Sequence, residues 1–417
     1  MIMVCDAIMG SGKSSAAIAY MNEHPNEKFI YITPYLDETS RIRVECPNLH
    51  FVEPSSKLSA YNFKKYLHTM ALIGEGRNIT TTHQAFKRYT QETLESIRKQ
   101  GYTLIVDENV AVLETFDFHE TDLQLAVSAG YVEETADGYT FTDKNYDGIA
   151  LSKMFEMLRS RRLIKMDGEK TGRLFFWTFP PELITAFKDV YILTYLFEGQ
   201  SLCYFMKIYA MPYKRIGVER TPHGGYSFCD KANCAPDYVA HLKDMIHILD
   251  NPRMNDIGDN RFALSLAWYE RGGENVERAK KHLYNFFNNI CDDVPPDKKL
   301  WGSFNDAKNK LKGKGYTKAF LGFNARATNA YRDKTCLAYP VNLFMNVSEK
   351  SFYLMNGIQV DEEAYALSVM IQWIWRSAIR DGEQIRLYIP SSRMRELLVK
   401  WIEITQEGGN VDDENLQ

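Results

Sequence analysis

Long apolar runs, clustered cysteines, a large net charge and repeats of fixed period are all missing from this chain, and each absence removes a class of protein. No apolar stretch reaches membrane-spanning length, and no positively charged leader precedes the first expected strand, so the expectation is a cytoplasmic protein with no membrane partner. The seven cysteines (Cys5, Cys46, Cys203, Cys229, Cys234, Cys291, Cys336) are odd in number and scattered, which excludes a disulfide scaffold and suits free thiols. Only Cys229 and Cys234 are close. With His223 before them and His241 after, their spacing is too loose for a zinc finger, and zinc is not expected. Fifty Lys and Arg against 54 Asp and Glu leave a net charge of −4, so any surface for nucleic acid must be a local patch. What remains is an ordinary globular composition, 45% hydrophobic and 25% charged, in 417 residues, too long for one core.

The first twenty residues carry the strongest signal. In "MIMVCDAIMGSGKSSAAIAY", Ile2 to Val4 read as a buried strand, Gly10-Ser11-Gly12 as a loop with inward-facing N–H groups, and Lys13-Ser14-Ser15-Ala16-Ala17 as a helix start. Such a loop cradles phosphate at a helix N-terminus. The pattern G-x-x-x-x-G-K-[ST] is met with alanine in first place, as Ala7 followed by Gly12-Lys13-Ser14. Expected nucleotide contacts are Ala7, Met9, Gly10, Ser11, Gly12, Lys13, Ser14 and Ser15, with Lys13 on the β- and γ-phosphates and the Ser14 hydroxyl on Mg²⁺.

Three further strands end in polar residues. "KFIYITP" stops at Thr33-Pro34, "NITTTHQAF" passes from a threonine-rich strand end into a helix capped by one of the threonines, and "YTLIVDENV" ends on Asp107-Glu108. Strands alternating with helices imply a parallel sheet whose ligands collect at the carboxyl ends. Asp107 there holds Mg²⁺ and Glu108 positions or deprotonates water, so ATP and Mg²⁺ are the expected cofactors. Residues 111 to about 175 read as an inserted small subdomain, with hairpin or turn signals at Asp137-Gly138 and Asp167-Gly168 and arginines at 159, 161 and 162. "DVYILTYLFEG" closes the first half with a strand ending in Thr194.

In the second half the expected strands are "RFALSLAW", "TKAFLGFNARATN", "CLAYPVN" and "EQIRLYIP". A helix is expected over Asp361 to Asp381, on which Gln372, Arg376 and Arg380 stand at i, i+4 and i+8 and share a face. "LWGSFNDAKNKLKGKGYTK" places Lys308, Lys310, Lys312, Lys314 and Lys318 among Trp301, Phe304 and Tyr316, a strip suited to tracking a single strand while aromatics stack on bases, or else a solvated loop. The tail from residue 404 is acidic and expected to be disordered.

The ordered strand endings resemble the superfamily 2 helicases and the helicase-like ATPases of phages and mobile elements. Motif I resembles Ala7 to Ser14, motif Ia Ile32-Thr33-Pro34, the next DNA-contact motif Thr80-Thr81-Thr82-His83-Gln84, and motif II Asp107-Glu108-Asn109-Val110. Motif III resembles Leu193-Thr194-Tyr195, motif V Ala327-Thr328-Asn329, and motif VI Gln372, Arg376 and Arg380, whose arginines are spaced by four where the family spaces them by three. The resemblance implies an α/β protein of two tandem RecA-like parallel-sheet domains, 1–200 and 201–403, with ATP between them. It further implies Gln372 as γ-phosphate sensor, Arg376 or Arg380 as arginine finger, Thr194 as coupling residue, and Thr33, Thr81, Thr82, Thr328, Lys310, Lys312 and Lys314 as nucleic-acid contacts. The implied partner is single-stranded nucleic acid, DNA foremost, with replication or recombination proteins as associates. The alternatives are a DNA-packaging terminase-like ATPase with a nuclease domain, for which Asp292, Asp293, Asp306 and Asp361 are the available carboxylates, and a nucleic-acid-binding regulator with a degenerate ATP site.

Overall fold

The computed structural model describes all residues except 35, 116–117, 136–137, 143–145, 147, 161, 169–171, 231–234, 326–329 and 408–417. Side chains at 115, 166–168 and 172–174 are likewise not described. A seven-stranded, mainly parallel sheet in the first half, a five-stranded parallel sheet in the second and a five-stranded antiparallel sheet organise the chain. This is the tandem α/β fold class expected, with a subdomain inserted in the first half.

The first sheet runs, edge to edge, Tyr226–Cys229, Lys214–Arg220, Ile2–Asp6, Asp189–Thr194, Thr103–Asp107, Phe29–Thr33 and Ile79–Thr82. All neighbours are parallel except the first pair. Its central strands are apolar because both faces are covered: Phe29–Thr33 and Thr103–Asp107 are buried at every position. The register sets Asp6 beside Thr194 and Leu193 beside Asp107, which brings the strand ends expected to carry chemistry to one rim. The boundary expected at residue 200 falls inside this unit. Lys214–Arg220 and Tyr226–Cys229 add two strands to the sheet after it, in a segment for which the sequence pattern predicts none.

The insertion forms an antiparallel sheet in the order Leu113–Thr115, Gly172–Thr178, Arg162–Gly168, Gly138–Phe141, Val132–Thr135. Gly138 opens the return strand of the first hairpin, while Asp137 lies outside the described residues. Asp167 and Gly168 do not turn the chain. They pair with Arg173 and Gly172 as the last rungs of a longer hairpin. Of the arginines, Arg159 stacks on Phe141, Arg162 pairs with Glu182, and Arg161 is outside the described residues.

The second sheet is parallel throughout, in the order Ile246–Ile248, Ile385–Tyr388, Cys336–Ala338, Lys299–Ser303, Phe320–Gly322. "RFALSLAW" does not join it. Leu264 turns left-handed at φ 63°, and the Ser265 hydroxyl caps a helix over Leu266–Arg271 by accepting from Trp268 N, so local capping overrides the apolar alternation. "TKAFLGFNARATN" contributes only Phe320–Gly322, and Arg326 to Asn329, including Thr328, lie outside the described residues. Lys299–Ser303 is a strand the sequence reading missed, buried at all five positions. The last helix, Ser392–Gln406, runs into the segment expected to be disordered. Among the described residues no helix is long and apolar enough to cross a membrane.

Candidate nucleotide site

The loop after Ile2–Asp6 folds as a phosphate cradle. Gly10 and Gly12 adopt φ of +83° and +92°, conformations that cost an L side chain heavily, and Gly12 caps the helix Lys13–Glu23. Space forbids a side chain at Gly12 as well, because Tyr226 lies against it; at Gly10 a Cβ would stand 3.0 Å from Pro236. Lys13 Nζ donates to the carbonyls of Ala7 at 2.5 Å and Ile8 at 3.0 Å, folding its ammonium back over the loop. Burial pushes that ammonium below the usual lysine range, opposed by Cys5 and Asp107.

Asp107 ends its strand beneath this loop. Its Oδ1 accepts from Ser14 Oγ at 3.3 Å and its Oδ2 from Tyr31 Oη at 2.9 Å. Burial, and then the neighbouring Glu108, push its carboxyl up to about 7. Glu108 itself sits at φ 64°, an unfavourable conformation for a residue with a Cβ, and its Oε2 is buried without a hydrogen-bond partner. The Asp107 carbonyl accepts from His83 Nε2 at 2.8 Å, which ties the threonine-rich strand end to the acidic one.

The cavity above these groups has a volume of about 330 Å³ and takes walls from both halves. Met9, Gly10, Gly12, Lys13, Ser14, Ser15, Arg41, Asp107, Glu108, Leu193, Thr194, Tyr195 and Tyr226 come from the first; Gln372, Trp375, Arg376 and Arg380 come from the second. Ala7 and Ser11 are buried beneath, and the Ser11 hydroxyl has no partner. Thr194 Oγ1 donates to Gln200 Oε1 at 2.8 Å, and Gln200 donates onward to the Tyr195 carbonyl at 2.8 Å, so Thr194 is held at the end of its strand.

The helix bearing the glutamine and arginines is shorter than expected. It covers Glu362–Ile374, capped by Asp361, and a 3₁₀ turn follows over Ala378–Asp381. Ser377 ends it by turning extended and donating its hydroxyl to the Ile374 carbonyl at 2.6 Å, while the Ala378 N–H pairs with the Lys334 carbonyl. One helical face is therefore not what gathers Gln372, Arg376 and Arg380. The break after Ile374 does so, leaving Arg376 buried and Arg380 exposed at the same cavity.

The other expected nucleic-acid contacts lie apart. Thr33 and Thr81 are buried with enclosed hydroxyls, so neither side chain reaches a strand laid over the sheet; Thr82 is half-buried and lines a different cavity. Thr82 also caps the four-residue helix His83–Phe86, as the threonine pattern predicted. Trp301, Phe304 and Tyr316 belong to the second core and cannot stack on bases. Lys310 donates to the Tyr269 carbonyl at 2.5 Å, Lys312 to Asn309, and Lys314 is exposed. The carboxylates considered for a nuclease are likewise dispersed: Asp293 pairs with Arg386, Asp361 caps its helix, and no group of three or more metal-ligating side chains occurs among the described residues.

The sequence reading missed Tyr31, His83 as a link to Asp107, Tyr226 and Trp375. Tyr31 had a signal, a hydroxyl in an otherwise apolar strand. Tyr226 had none, since its place over Gly12 depends on the late edge strand.

Comparison with known proteins places the chain in a family. A model of the YonV C-terminal Rossmann-like domain matches residues 240–402. Solved structures titled XPD helicase and S. tokodaii Xpd4 superpose at a TM-score of 0.43 each, with 11% and 12% identity, covering 98% and 100% of this chain and 95% of each of theirs. The SPbeta prophage-derived uncharacterized protein YonV of Bacillus subtilis (strain 168) is 36% identical over 417 aligned residues, 96% of this chain and 98% of that protein, and on that shared length the chain belongs to the YonV family.

Proposed function

We propose that this protein is an ATP-driven translocase or helicase acting on single-stranded nucleic acid, DNA foremost. One observation carries the reading: a single cavity collects the cradle lysine, the paired carboxylates Asp107 and Glu108, and Gln372, Arg376 and Arg380 from the opposite half. The donor set fits Mg-ATP. The orphaned Ser11 hydroxyl and Glu108 carboxylate oxygen are buried polar atoms in need of partners, and Ser14 and Asp107 already converge on one point. Mg²⁺, when bound, neutralises charge on the transferring phosphoryl group.

In this reading Lys13 leaves the Ala7 and Ile8 carbonyls to bind the phosphates, and Ser14 and Asp107 hold the metal. Glu108, with its free oxygen, orients and deprotonates the attacking water. Gln372 senses the γ-phosphate, and Arg376 or Arg380 donates to charge that develops in the transition state. Hydrolysis then loosens the contact between the halves, with Thr194 and Gln200 relaying the change, and the grip on nucleic acid alternates. Turnover measured with single-stranded DNA, duplex DNA and RNA tests the reading. Stimulation by a single strand is expected; no ATP hydrolysis under any of these conditions overturns it.

A further inference from the structure

A second cavity, of about 670 Å³, lies where the first domain meets the inserted subdomain. Lys64, Lys65, Arg88 and Arg159 line it with Glu156, Lys65 being paired with Glu53 at 3.7 Å, in a chain whose overall charge is −4. Arg88 and Glu156 pair at 3.3 Å with both side chains largely exposed, an interaction easily exchanged for a phosphate. Thr82, from the threonine-rich strand end, forms part of the wall.

Two aromatic side chains at this cavity face solvent: Phe63 is 63% exposed and Tyr66 is 42% exposed. Phe63 is also backbone-strained. It stands at φ 56° directly after Asn62 at φ 50°, a left-handed pair that a bulky residue adopts only when its surroundings impose it. The imposition is visible. Asn62, Phe63 and Lys64 donate their N–H groups to the carbonyls of Ser59, Leu58 and Tyr61, while Tyr61 stacks on His68 at 4.7 Å. His68 in turn accepts from Ser55 N at 2.9 Å, which locks the turn onto the helix Lys65–Gly74. Asn62 closes the 3₁₀ turn Ser59–Tyr61, and the three backbone hydrogen bonds fix Phe63 with its ring outward beside Lys64, Arg88 and Arg159, so a rigid turn presents the ring at the cavity mouth.

We infer that this groove binds single-stranded nucleic acid, with Phe63 and Tyr66 stacking on bases and Lys64, Arg88 and Arg159 neutralising phosphates. The inference rests on the motor reading for its ligand class and locates the strand between the first domain and the insertion, away from the lysine strip at Lys308–Lys318. Stacking is tolerant of sequence, and the cations need only track a backbone, so the chemistry suits a strand of any sequence.

The test uses the full chain with oligothymidine of about 20 nucleotides, and oligouridine of equal length to compare DNA with RNA. Phe63→Ala and Tyr66→Ala should each weaken binding about tenfold and leave the salt dependence unchanged, since no charge is lost. Lys64→Gln with Arg88→Gln should flatten the slope of log affinity against log salt by about 1.4, roughly 0.7 per lost contact. Oligonucleotides carrying 5-iodouracil should crosslink to peptides containing Phe63 or Tyr66. Turnover without nucleic acid should be unaltered in every variant. If the wild type is stimulated by a single strand while all these variants bind as it does and crosslinks fall elsewhere, the groove is overturned and the motor stands. If the wild type binds neither oligonucleotide, both fall.

Discussion

The hydroxyl of Tyr31 donates to Oδ2 of Asp107 at 2.9 Å, within a sheet where both residues are buried. That hydrogen bond pulls the Asp107 carboxyl down, while burial and Glu108 push it up to about 7. Asp107 must be ionised to hold a metal, so kcat/KM should fall as pH drops through the neutral range. Tyr31→Phe removes the opposing hydrogen bond and should move this acid limb upward by about one pH unit, while leaving the plateau at high pH in place. A limb that does not move in the pH profile of Tyr31→Phe counts against Asp107 as the titrating group.

The same burial has a stability consequence of definite sign. In the folded state Asp107 keeps its proton to about pH 7, whereas in the unfolded chain it loses it near 3.8. Stability therefore falls as pH rises through that window and stays reduced above it. Asp107→Asn should raise the thermal midpoint at pH 8 by about 2–5 °C and change little at pH 4. Turnover of that variant should be abolished. Calorimetry at the two pH values checks this.

Lys13→Ala should eliminate ATP hydrolysis without unfolding the protein. The side chain gives up only two loop carbonyl contacts, and it is held below its usual protonation range by burial, so its removal costs the apo fold little. Turnover, nucleotide binding and circular dichroism on one preparation separate these effects; a well-folded variant with unchanged turnover removes the P-loop assignment.

Arg376 and Arg380 reach the cavity from a helix break, one buried and one exposed. At least one of Arg376→Ala and Arg380→Ala should lower nucleic-acid-stimulated turnover by about two to four orders of magnitude while nucleotide affinity changes less than about tenfold. Arg376→Ala should also lose stability, and Arg380→Ala should not. Retention of turnover per folded molecule by both variants rules out a finger from the second half.

Gly199 packs against the backbone of Ala364 and Tyr365. A Cβ there would lie 2.5 Å from the carbonyl carbon of Ala364 at the start of the helix Glu362–Ile374. Nearby, Ser201 donates to Glu349 at 2.7 Å and Trp401 to the Tyr195 hydroxyl at 2.8 Å. Gly199→Ala should force this contact apart and reduce stimulated turnover well below the wild type, with ATP affinity of the first half retained. Small-angle scattering of the variant should report a more open pair of domains.

Local patterns in the sequence were enough for the cradle and for the strand ends that carry polar residues. The strands ending at Thr33, Thr82, Asp107 and Thr194 are short buried runs closed by a polar residue, and the cradle from Ala7 to Ser14 is one strand, one loop and one helix start. Two misread elements turn on local bonds, the Ser265 cap that starts a helix in an expected strand and the break after Ile374, where the Ser377 hydroxyl bonds back to the Ile374 carbonyl; the missed strands Lys214–Arg220, Tyr226–Cys229 and Lys299–Ser303 are set by their sheet neighbours. Tertiary structure alone decided which distant groups meet. Parallel strand order placed Asp107 next to the Asp189–Thr194 strand and two positions from the cradle strand; late edge strands laid Tyr226 over Gly12; and the insertion closed a groove around Phe63. Burial did the rest. It took Trp301, Phe304 and Tyr316 out of reach of any ligand and raised the Asp107 carboxyl, because desolvation belongs to the packed molecule and has no counterpart in the spacing of residues along a chain.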